Sequence, residues 1–344
     1  MRVLSVDPEH PDPAQIEKAA DAIRTGGLVA FPTETVYGLG ADAMNGDAVA
    51  RIFAAKGRPA WNPVIVHVAN IADARLLAAQ WPDDASVLSQ SLWPGPVTLV
   101  LQKAPQVPDI VSAGLPNVGI RIPAHPVALA LLEAAGRPIA APSANRFSEV
   151  SPTTAAHVIR SLGDRVDTVL DGGPSGVGIE STVIDLTGDV PCVLRPGMVS
   201  RDRIELLLGR EVDYRRSDDL ESAADGRAQA SPGTAARHYA PRAEVWLFES
   251  VDIESLQAAL SSRLDDDTNN SLRVRALLIH TRDGAIAGRM ERRRMPATPE
   301  LYARELYREL HDADDAGVVL LLIELPPRHD VWIAVHDRLT RASR

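Results

Sequence analysis

Short apolar runs alternate with helix-length segments along the 344-residue chain, and this alternation restricts it to folds that pack helices on sheets. Apolar residues at helical spacing predict helices over 13–25, 46–56, 71–80 and 83–92. Short apolar runs predict strands in LVAFP, PVIVHV, VTLVLQ, VGIRIP, PIAAPS, TVLDGG, STVIDL and CVLRPG. This order predicts a strand-rich α/β domain that ends near residue 200.

Residues 210–232 interrupt the pattern with charged and small residues, a composition typical of a linker. Strand patterns resume in EVWLF, RALLIH and GVVLLLIEL, and they alternate with helical patterns near 252–264, 298–313 and 331–342. This alternation predicts a small parallel α/β domain. The chain is therefore predicted to consist of a first domain, a linker and a C-terminal domain, over residues 1–205, 206–242 and 243–344.

The composition excludes several classes of protein. A net charge of −10 at pH 7 argues against binding nucleic acid or anionic membrane through overall charge. The single cysteine, Cys192, excludes an internal disulfide framework, and the nine histidines show no HxH or HExxH spacing, so we expect no protein-held metal. The sequence has no GxGxxG or P-loop spacing. Without a signal-peptide pattern or a long apolar run, we expect a cytoplasmic protein with no membrane segment.

The stretch AKGRPAWNP, residues 55–63, allows two interpretations. It can be a helix end, because Lys56 in a last turn complements the helix dipole, Gly57 suits a left-handed cap and Pro59 stops the helix. That interpretation leaves Arg58 and the following WNP unexplained. The alternative is that Lys56 and Arg58 form a pair of cations that holds an anion.

Polar residues follow two of the predicted strands. FPTETVYGLGADA places Thr33, Glu34 and Thr35 after an apolar run, where the strand ends of α/β sheets bind ligands. PIAAPSANRFSEVSPTT repeats the arrangement with hydroxyl and amide side chains that suit phosphate oxygens: Ser143, Asn145, Ser148 and Ser151. Both stretches are also compatible with ordinary turns.

Two arginines and a histidine lie in apolar strand patterns. Arg121 in VGIRIP needs a buried partner, which is a bound carboxylate or phosphate, or else a structural ion pair. Arg195 in VLRPG follows the segment with Ser181 at a strand start, and His67 in PVIVHV alone favours a packed core histidine. The basic cluster MERRRMP, residues 290–296, is predicted to be a solvated loop, with an RNA contact as the alternative.

Seven motifs together resemble one family, the L-threonylcarbamoyladenylate synthases in their longer form. They are FPTETVYGLG, KGRPAWNPVIVHV, RIPAHP, APSAN, GIESTVID, RPG and SPGTAARHYAP, and they occur in the family's order over nearly the whole chain. The resemblance implies a YrdC-like twisted, mostly β-sheet domain flanked by helices, then a linker, then a small parallel Rossmann-like α/β domain. Asn117 stands where the family pattern has threonine, and the linker motif lacks a lysine and an aromatic residue that members carry.

The resemblance also implies an activity and its partners. The reaction joins L-threonine, bicarbonate and ATP into threonylcarbamoyl-AMP and pyrophosphate, with Mg2+ as cofactor held mainly by phosphates. The product supplies the t6A modification of tRNA through downstream threonylcarbamoyl-transfer machinery. The alternatives are an RNA-binding YrdC-like module and a carbamoyl transferase of the hydrogenase-maturation type. The single cysteine disfavours the latter, because those proteins carry cysteine-paired zinc motifs.

The site residues implied by the resemblance fall into three groups. The catalytic group is Lys56, Arg58, Ser143 and Asn145. The ATP-binding group is Arg58, Asn62, Asn117, Ser143, Ser151, Arg195, His238 and Tyr239. The threonine-binding group is Thr35, His67, Arg121, Ala141 and Ser181. The linker residues Arg237, His238 and Tyr239 are expected to close over the site.

Overall fold

The structure is a computed structural model that describes residues 1–59, 61–214, 239–265 and 272–343. The chain divides into two compact units. Of the described residues, the first unit holds 1–147 and 151–214, and the second holds 148–150 and those from 239 onward. His238 and Arg237, together with most of the predicted linker, lie outside the described residues.

The first unit is built on a mixed sheet. Its strands are β1 (Arg2–Ser5), β2 (Val29–Phe31), β3 (Gly38–Asp42), β4 (Val66–His67), β5 (Val97–Gln102), β6 (Asn117–Arg121), β7 (Ile139–Ala140), β8 (Thr168–Asp171), β9 (Thr182–Asp185), β10 (Cys192–Arg195) and β11 (Asp213–Tyr214). They are ordered β1-β8-β2-β3-β7-β4-β6-β5-β9-β10-β11. Strands β2 to β5, β7 and β9 are mostly buried, and the edge strands β1 and β11 are mostly not. Strand β11 lies within the range predicted as linker and pairs with β10.

Helices cover this sheet. They are α1 (Pro13–Arg24), α2 (Gly46–Lys56), α3 (Ile71–Leu77), α4 (Asp83–Leu92), α5 (Asp109–Ser112), α6 (Pro126–Ala135), α7 (Ala155–Leu162) and α8 (Arg201–Leu208). Adjacent residues of β2 belong to different apolar clusters, with Ala30 in one and Val29 and Phe31 in the other. The strand is therefore buried on both faces, which explains its continuous apolar pattern.

The second unit is a parallel four-stranded sheet with helices. Its strands are β12 (Glu244–Phe248), β13 (Val274–Leu278), β14 (Glu291–Arg294) and β15 (Leu320–Glu324), ordered β12-β15-β13-β14. Its helices are α9 (Ile253–Asp265), α10 (Pro299–Asp315) and α11 (Ile333–Ala342). The prediction of an α/β fold with a small parallel C-terminal sheet is confirmed.

Two features of the second unit are the strand in MERRRMP and a buried carboxylate. Residues 291–294 of MERRRMP form the edge strand β14, so the prediction of a loop there is wrong, although three of these four residues are exposed to solvent as predicted. The buried Glu324 carboxylate, at the end of β15, accepts hydrogen bonds from the backbone N–H groups of Ile279, His280 and Thr281. Such bonds replace the water that a buried carboxylate loses. No described helix of either unit is both long and apolar enough to cross a membrane.

Candidate active site

Strand β4 brings three of the predicted site residues together in the middle of the large sheet. It pairs in parallel with β6 so that His67 lies level with Arg121, and it pairs on its other side with β7, where His67 lies level with Ile139. The backbone N–H of Ala141 donates to the carbonyl oxygen of Ile65 at 2.9 Å. His67, Arg121 and Ala141 are thus neighbours, although 74 residues separate the first from the last in the sequence.

Arg121 contacts three other residues of this region and is only 4% exposed. Its Nη1 donates to the Thr35 hydroxyl at 2.9 Å and its Nε to the carbonyl oxygen of Gly95 at 3.1 Å. Its Nη2 lies 2.7 Å from Oε1 of Glu34. A structural ion pair, one of the two possibilities for this arginine, is therefore present, and the loop after β2 supplies its carboxylate.

Four polar atoms of this cluster are buried without a hydrogen-bond partner in the part of the chain that the structure describes. They are both carboxylate oxygens of Glu34, Nδ1 of His67 and Nη2 of Arg121. Glu34 and Arg121 attract each other as charges, but their geometry falls outside that of a hydrogen bond. A buried polar atom without a hydrogen bond is unfavourable even where, as for Glu34 Oε1 and Arg121 Nη2, an ion pair offsets part of the cost, so four such atoms in one place indicate a site for a polar ligand. We call Glu34, Thr35, His67 and Arg121 the Arg121 cluster.

His67 is neutral at physiological pH. Burial lowers its pKa to about 3, and the positive charge of Arg121 acts in the same direction. The imidazole meets the ring of Phe31 edge to face, with 6.2 Å between ring centroids. His67 is therefore both a packed core residue and a neutral hydrogen-bonding group beside Arg121.

Lys56 ends helix α2 and reaches the loop after β7. Gly57 caps the helix in the left-handed conformation with φ of 62°, so the helix-end interpretation is confirmed. The buried Lys56 ammonium donates to the carbonyl oxygen of Ser143 at 2.6 Å and to that of Asn145. In return, the N–H of Phe147 donates to the Lys56 carbonyl oxygen at 2.9 Å.

Arg58 organises the loop that follows the same helix. Its Nη2 donates to Oδ1 of Asn62 at 2.6 Å and to the carbonyl oxygen of Pro63 at 2.7 Å. Trp61 of this loop packs edge to face on Phe147, with 6.5 Å between ring centroids. The loop after α2 and the loop that carries Ser143 and Asn145 are thus packed together, which agrees with the resemblance that groups these two residues with Lys56 and Arg58.

A third buried arginine, Arg195, ends β10, which pairs with β9. Arg195 donates from Nε to the carbonyl oxygen of Ser181 at 3.1 Å and from Nη2 to its hydroxyl at 3.0 Å. The Ser181 hydroxyl lies 2.8 Å from that of Thr98. The turn after Arg195 requires glycine, because a Cβ on Gly197 would lie 2.4 Å from the backbone nitrogen of Thr182.

The segment before β5 connects the surroundings of Arg121 with those of Arg195. Arg121 binds the carbonyl oxygen of Gly95, and the carbonyl oxygen of the next residue, Pro96, accepts from Thr182 N–H at 3.0 Å. Thr182 directly follows Ser181, the partner of Arg195. Strands β6 and β10, which end in Arg121 and Arg195, are separated in the sheet by β5 and β9. Their buried cations favour an anionic ligand in this part of the first unit.

The other predicted ATP-binding residues lie in different parts of the chain. Ser151 is buried and donates to Oε1 of Glu180 at 2.6 Å. Asn117 begins β6 and is paired in register with Gln102, four residues along the strand from Arg121. Its distance from Arg121 along an extended strand is about 13 Å, so it belongs to the other end of β6.

Tyr239 lies in the second unit and is buried there. Its ring packs on Tyr307, with 5.7 Å between centroids, and the Arg338 guanidinium lies 5.3 Å from its centroid. Its φ of 62° is in the left-handed region, which non-glycine residues seldom adopt. Contacts of Tyr239 with ATP stay a prediction, as do those of His238.

Three residues of the site have roles that the sequence analysis did not assign. Glu34 was noted only as part of PTET, and nothing in the sequence links it to Arg121. Thr98 lies inside an ordinary apolar strand pattern, and Glu180 inside a glycine-rich stretch. Their partners are far away in the chain, so only the fold identifies them.

Comparison with known proteins identifies the families that this chain resembles. A family model described as "Telomere recombination", which covers Sua5, YciO and YrdC proteins, matches residues 21–197. A model described as "Threonylcarbamoyl-AMP synthase, C-terminal domain" matches residues 199–344. The threonylcarbamoyl-AMP synthase of Pyrococcus abyssi is 40% identical over 96% of this chain and 94% of its own length. That of Bacillus subtilis is also 40% identical, over 96% and 93%.

A solved structure gives the same result. The crystal structure of P. abyssi Sua5 complexed with L-threonine has a TM-score of 0.88 and 38% sequence identity, and the match covers 100% of this chain and 98% of that one. Fold and site thus define a protein of the Sua5 and YrdC class. The chain belongs to the threonylcarbamoyl-AMP synthase family, in the form with the additional C-terminal domain.

Proposed function

We propose that this chain joins L-threonine, bicarbonate and ATP into threonylcarbamoyl-AMP and pyrophosphate, and that it is by class a nucleotidyltransferase. Its family membership supports the overall reaction. The observation that carries the proposal is the Arg121 cluster, because a small hydroxy amino acid needs a cation, an anion and hydroxyl groups in one buried place. The L-threonine held by the P. abyssi relative supports the same substrate here.

The Arg121 cluster would hold the amino acid. The guanidinium of Arg121 receives the threonine carboxylate, for which its planar fork is suited. Thr35, His67 and Ser181 line the rest of the threonine site, together with the backbone at Ala141. His67 is neutral, so it adds a hydrogen-bonding group without a second positive charge.

The chemistry then proceeds in two steps. Bicarbonate takes up a proton and loses water to give CO2, and the threonine ammonium group gives up a proton to become the neutral amine. The amine nitrogen then forms an N–C bond with CO2 and loses a second proton to solvent, which gives a carbamate. A carbamate oxygen forms a bond with the α-phosphorus of ATP, while the bond from that phosphorus to the bridging oxygen of the β-phosphate breaks. Pyrophosphate leaves with that electron pair. AMP is transferred to the carbamate, which makes the reaction a nucleotidyl transfer.

Positive charge would supply most of the rate. The carbamate and the leaving pyrophosphate are both anionic, so preorganised donors in a dry site lower the barrier. Lys56, Arg58 and Arg195 are buried and fixed by hydrogen bonds, which supports this role. Ser143, Asn145, Asn62 and Ser151 would position the nucleotide beside them, so that orientation adds to electrostatics.

We propose that Mg2+ arrives with ATP and is held mainly through phosphate oxygens, the ligands this ion prefers in nucleotide sites. Within the described ranges, no group of three or more His, Cys, Asp or Glu side chains is placed to hold a metal ion. The donors that are present, mostly hydroxyls, amides and cations, suit the phosphates and not the ion itself. When bound, the ion would neutralise part of the phosphate charge.

The product would supply tRNA threonylcarbamoyl-transfer machinery for the t6A modification. RNA binding is not proposed as the main function, because the net charge of −10 disfavours a phosphate-binding surface as the basis of activity. A weak RNA contact and a cytoplasmic location stay predictions.

Mass spectrometry of the product tests the proposal. Incubation with L-threonine, ATP, Mg2+ and 13C-bicarbonate is expected to give threonylcarbamoyl-AMP one mass unit heavier than the product made with ordinary bicarbonate. Formation of AMP alone, or a product whose mass ignores the label, contradicts the proposed reaction.

A further inference from the structure

The Glu34–Arg121 ion pair raises a difficulty for the binding of a carboxylate alone. Among the described residues, the 2.7 Å contact with Arg121 is the only ion pair that Glu34 makes. Both carboxylate oxygens of Glu34 are buried. A ligand carboxylate that takes the place of Glu34 on Arg121 leaves the Glu34 charge buried without a partner. Breaking a buried pair in this way is strongly unfavourable.

A zwitterion removes the difficulty. An α-amino acid carries its carboxylate and its ammonium group on the same carbon, so it can enter the pair with its carboxylate on Arg121 and its ammonium on Glu34. The internal ion pair is then replaced by two ion pairs with the ligand, and the net charge of the site stays the same. The unused hydrogen-bonding capacity of Glu34 and of Arg121 Nη2 is filled in the same step.

Within the ranges that the structure describes, no second cationic side chain lies within ion-pair distance of Glu34. His125 is close enough to feel the charge of Glu34, but burial dominates and lowers its pKa, so it is neutral at physiological pH.

The backbone holds Glu34 in place, because Val177 N–H donates to its carbonyl oxygen at 2.7 Å and Gly178 N–H donates to that of Thr35 at 3.1 Å.

We infer that Glu34 is the residue that binds the ammonium group of the amino acid and thereby selects an α-amino acid over a plain hydroxy acid. This inference rests on the proposed function and adds to it a specificity-determining residue. Because the nitrogen loses its positive charge when the carbamate forms, the attraction to Glu34 acts on the substrate and not on the carbamate. Loss of the Glu34 charge therefore raises the KM for threonine more than it lowers kcat.

Calorimetric titration of the full chain with two ligands tests the inference. One ligand is L-threonine, and the other is (R)-3-hydroxybutanoate, which is threonine without its amino group. For Glu34→Gln we expect the Kd of threonine to rise about ten- to hundredfold, since an uncharged amide binds an ammonium group poorly. The Kd of the hydroxy acid is expected to stay the same or to fall, because no buried charge is stranded. The exposed Glu211→Gln serves as the matched control and should change neither Kd.

Other outcomes overturn the inference. An equal rise of both Kd values in Glu34→Gln means that Glu34 acts only by positioning Arg121, and an unchanged threonine Kd means that it does not contact the ammonium group. Should Glu34→Gln fail to fold, Glu34→Asp keeps the charge and must retain the preference for threonine over the hydroxy acid. A wild-type chain that binds no threonine contradicts the proposed function itself, which separates the two failures.

Discussion

The ammonium of Lys56 and the carbonyl oxygen of Ser143 lie 2.6 Å apart, although 87 residues separate them in the sequence. The same lysine closes helix α2, whose left-handed cap at Gly57 turns the chain toward this loop. A residue that local rules explain as a helix end is therefore also a buried cation that fixes the loop of Ser143 and Asn145.

Replacing Lys56 by alanine is expected to lower kcat by about tenfold to a thousandfold, the effect of losing one preorganised donor. It should also destabilise the fold by about 1–3 kcal/mol, because two buried carbonyl oxygens lose their donor. Steady-state kinetics and thermal unfolding measure the two effects. The exposed Lys18→Ala is the control and should leave both unchanged. Wild-type turnover by Lys56→Ala would limit this lysine to its structural role.

Arg58→Ala is expected to reduce kcat/KM for ATP by about tenfold to a thousandfold, since the charge near the phosphates is lost and Asn62 loses its partner. Arg51 lies on the preceding helix α2, half-exposed in an ion pair with Asp167, and Arg51→Ala should retain nearly full activity. Initial rates at varied ATP concentration give kcat/KM for both variants. If both variants are equally active, Arg58 has no part in catalysis.

Arg121→Lys should raise the KM for L-threonine by about ten- to hundredfold and change kcat less. A lysine keeps the charge but cannot hold a carboxylate bidentately while it also bonds Thr35 and Gly95. Kinetics at varied threonine concentration measure this. Arg137→Lys, at a half-exposed arginine paired with Asp42, is the matched control. An unchanged KM in Arg121→Lys would remove Arg121 from the threonine site.

His67 makes the stability of the protein depend on pH. Its pKa is about 3 in the folded state and about 6.5 when unfolded, so the unfolded state binds a proton first as the pH falls. The contribution of neutral His67 to the free energy of unfolding is complete above about pH 6.5 and is lost progressively between pH 6.5 and 3. Between pH 7.5 and 5 this amounts to about 2 kcal/mol.

His67→Gln removes this contribution, so the variant should lose about 2 kcal/mol less stability than the wild type between pH 7.5 and 5. Urea unfolding at the two pH values gives the comparison. Equal losses in both proteins would show that His67 is able to take up a proton in the folded state.

Part of the fold follows directly from the sequence. Helix α4 (Asp83–Leu92) and strand β5 (Val97–Gln102) have the predicted bounds, because their local patterns and their packing agree. Helix α3 ends at Leu77 and not at residue 80, since Ala78 bridges Lys103 and Ala79 N–H donates to the Gln102 carbonyl oxygen. Pairing with a distant segment overrides the helical pattern there.

Other elements could not be predicted from local patterns. Strand β3 (Gly38–Asp42) was not predicted, because two of its five residues are glycines, which disfavour strands. At Gly40 a Cβ would lie 2.7 Å from Ile139 and 2.8 Å from Phe31, so close packing against both neighbouring strands requires the glycine. Helix α6 (Pro126–Ala135) was also missed. Its residues are mostly apolar, and it lacks the polar stripe of a surface helix.

The contacts of the site also divide into those that the sequence predicted and those that it did not. The resemblance implies that Lys56 and Ser143 belong to one site, and the structure brings Lys56 to the Ser143 loop. The contact between Glu34 and Arg121 was not predicted, because it joins a loop after β2 to the end of β6 and leaves no periodic signal in the sequence.

Pyrophosphate release by the purified full chain tests the central claim most directly. The account predicts release from ATP only when both L-threonine and bicarbonate are present, and almost none when either is omitted. Release that continues at the same rate without threonine would contradict the assignment of this chain as a threonylcarbamoyl-AMP synthase.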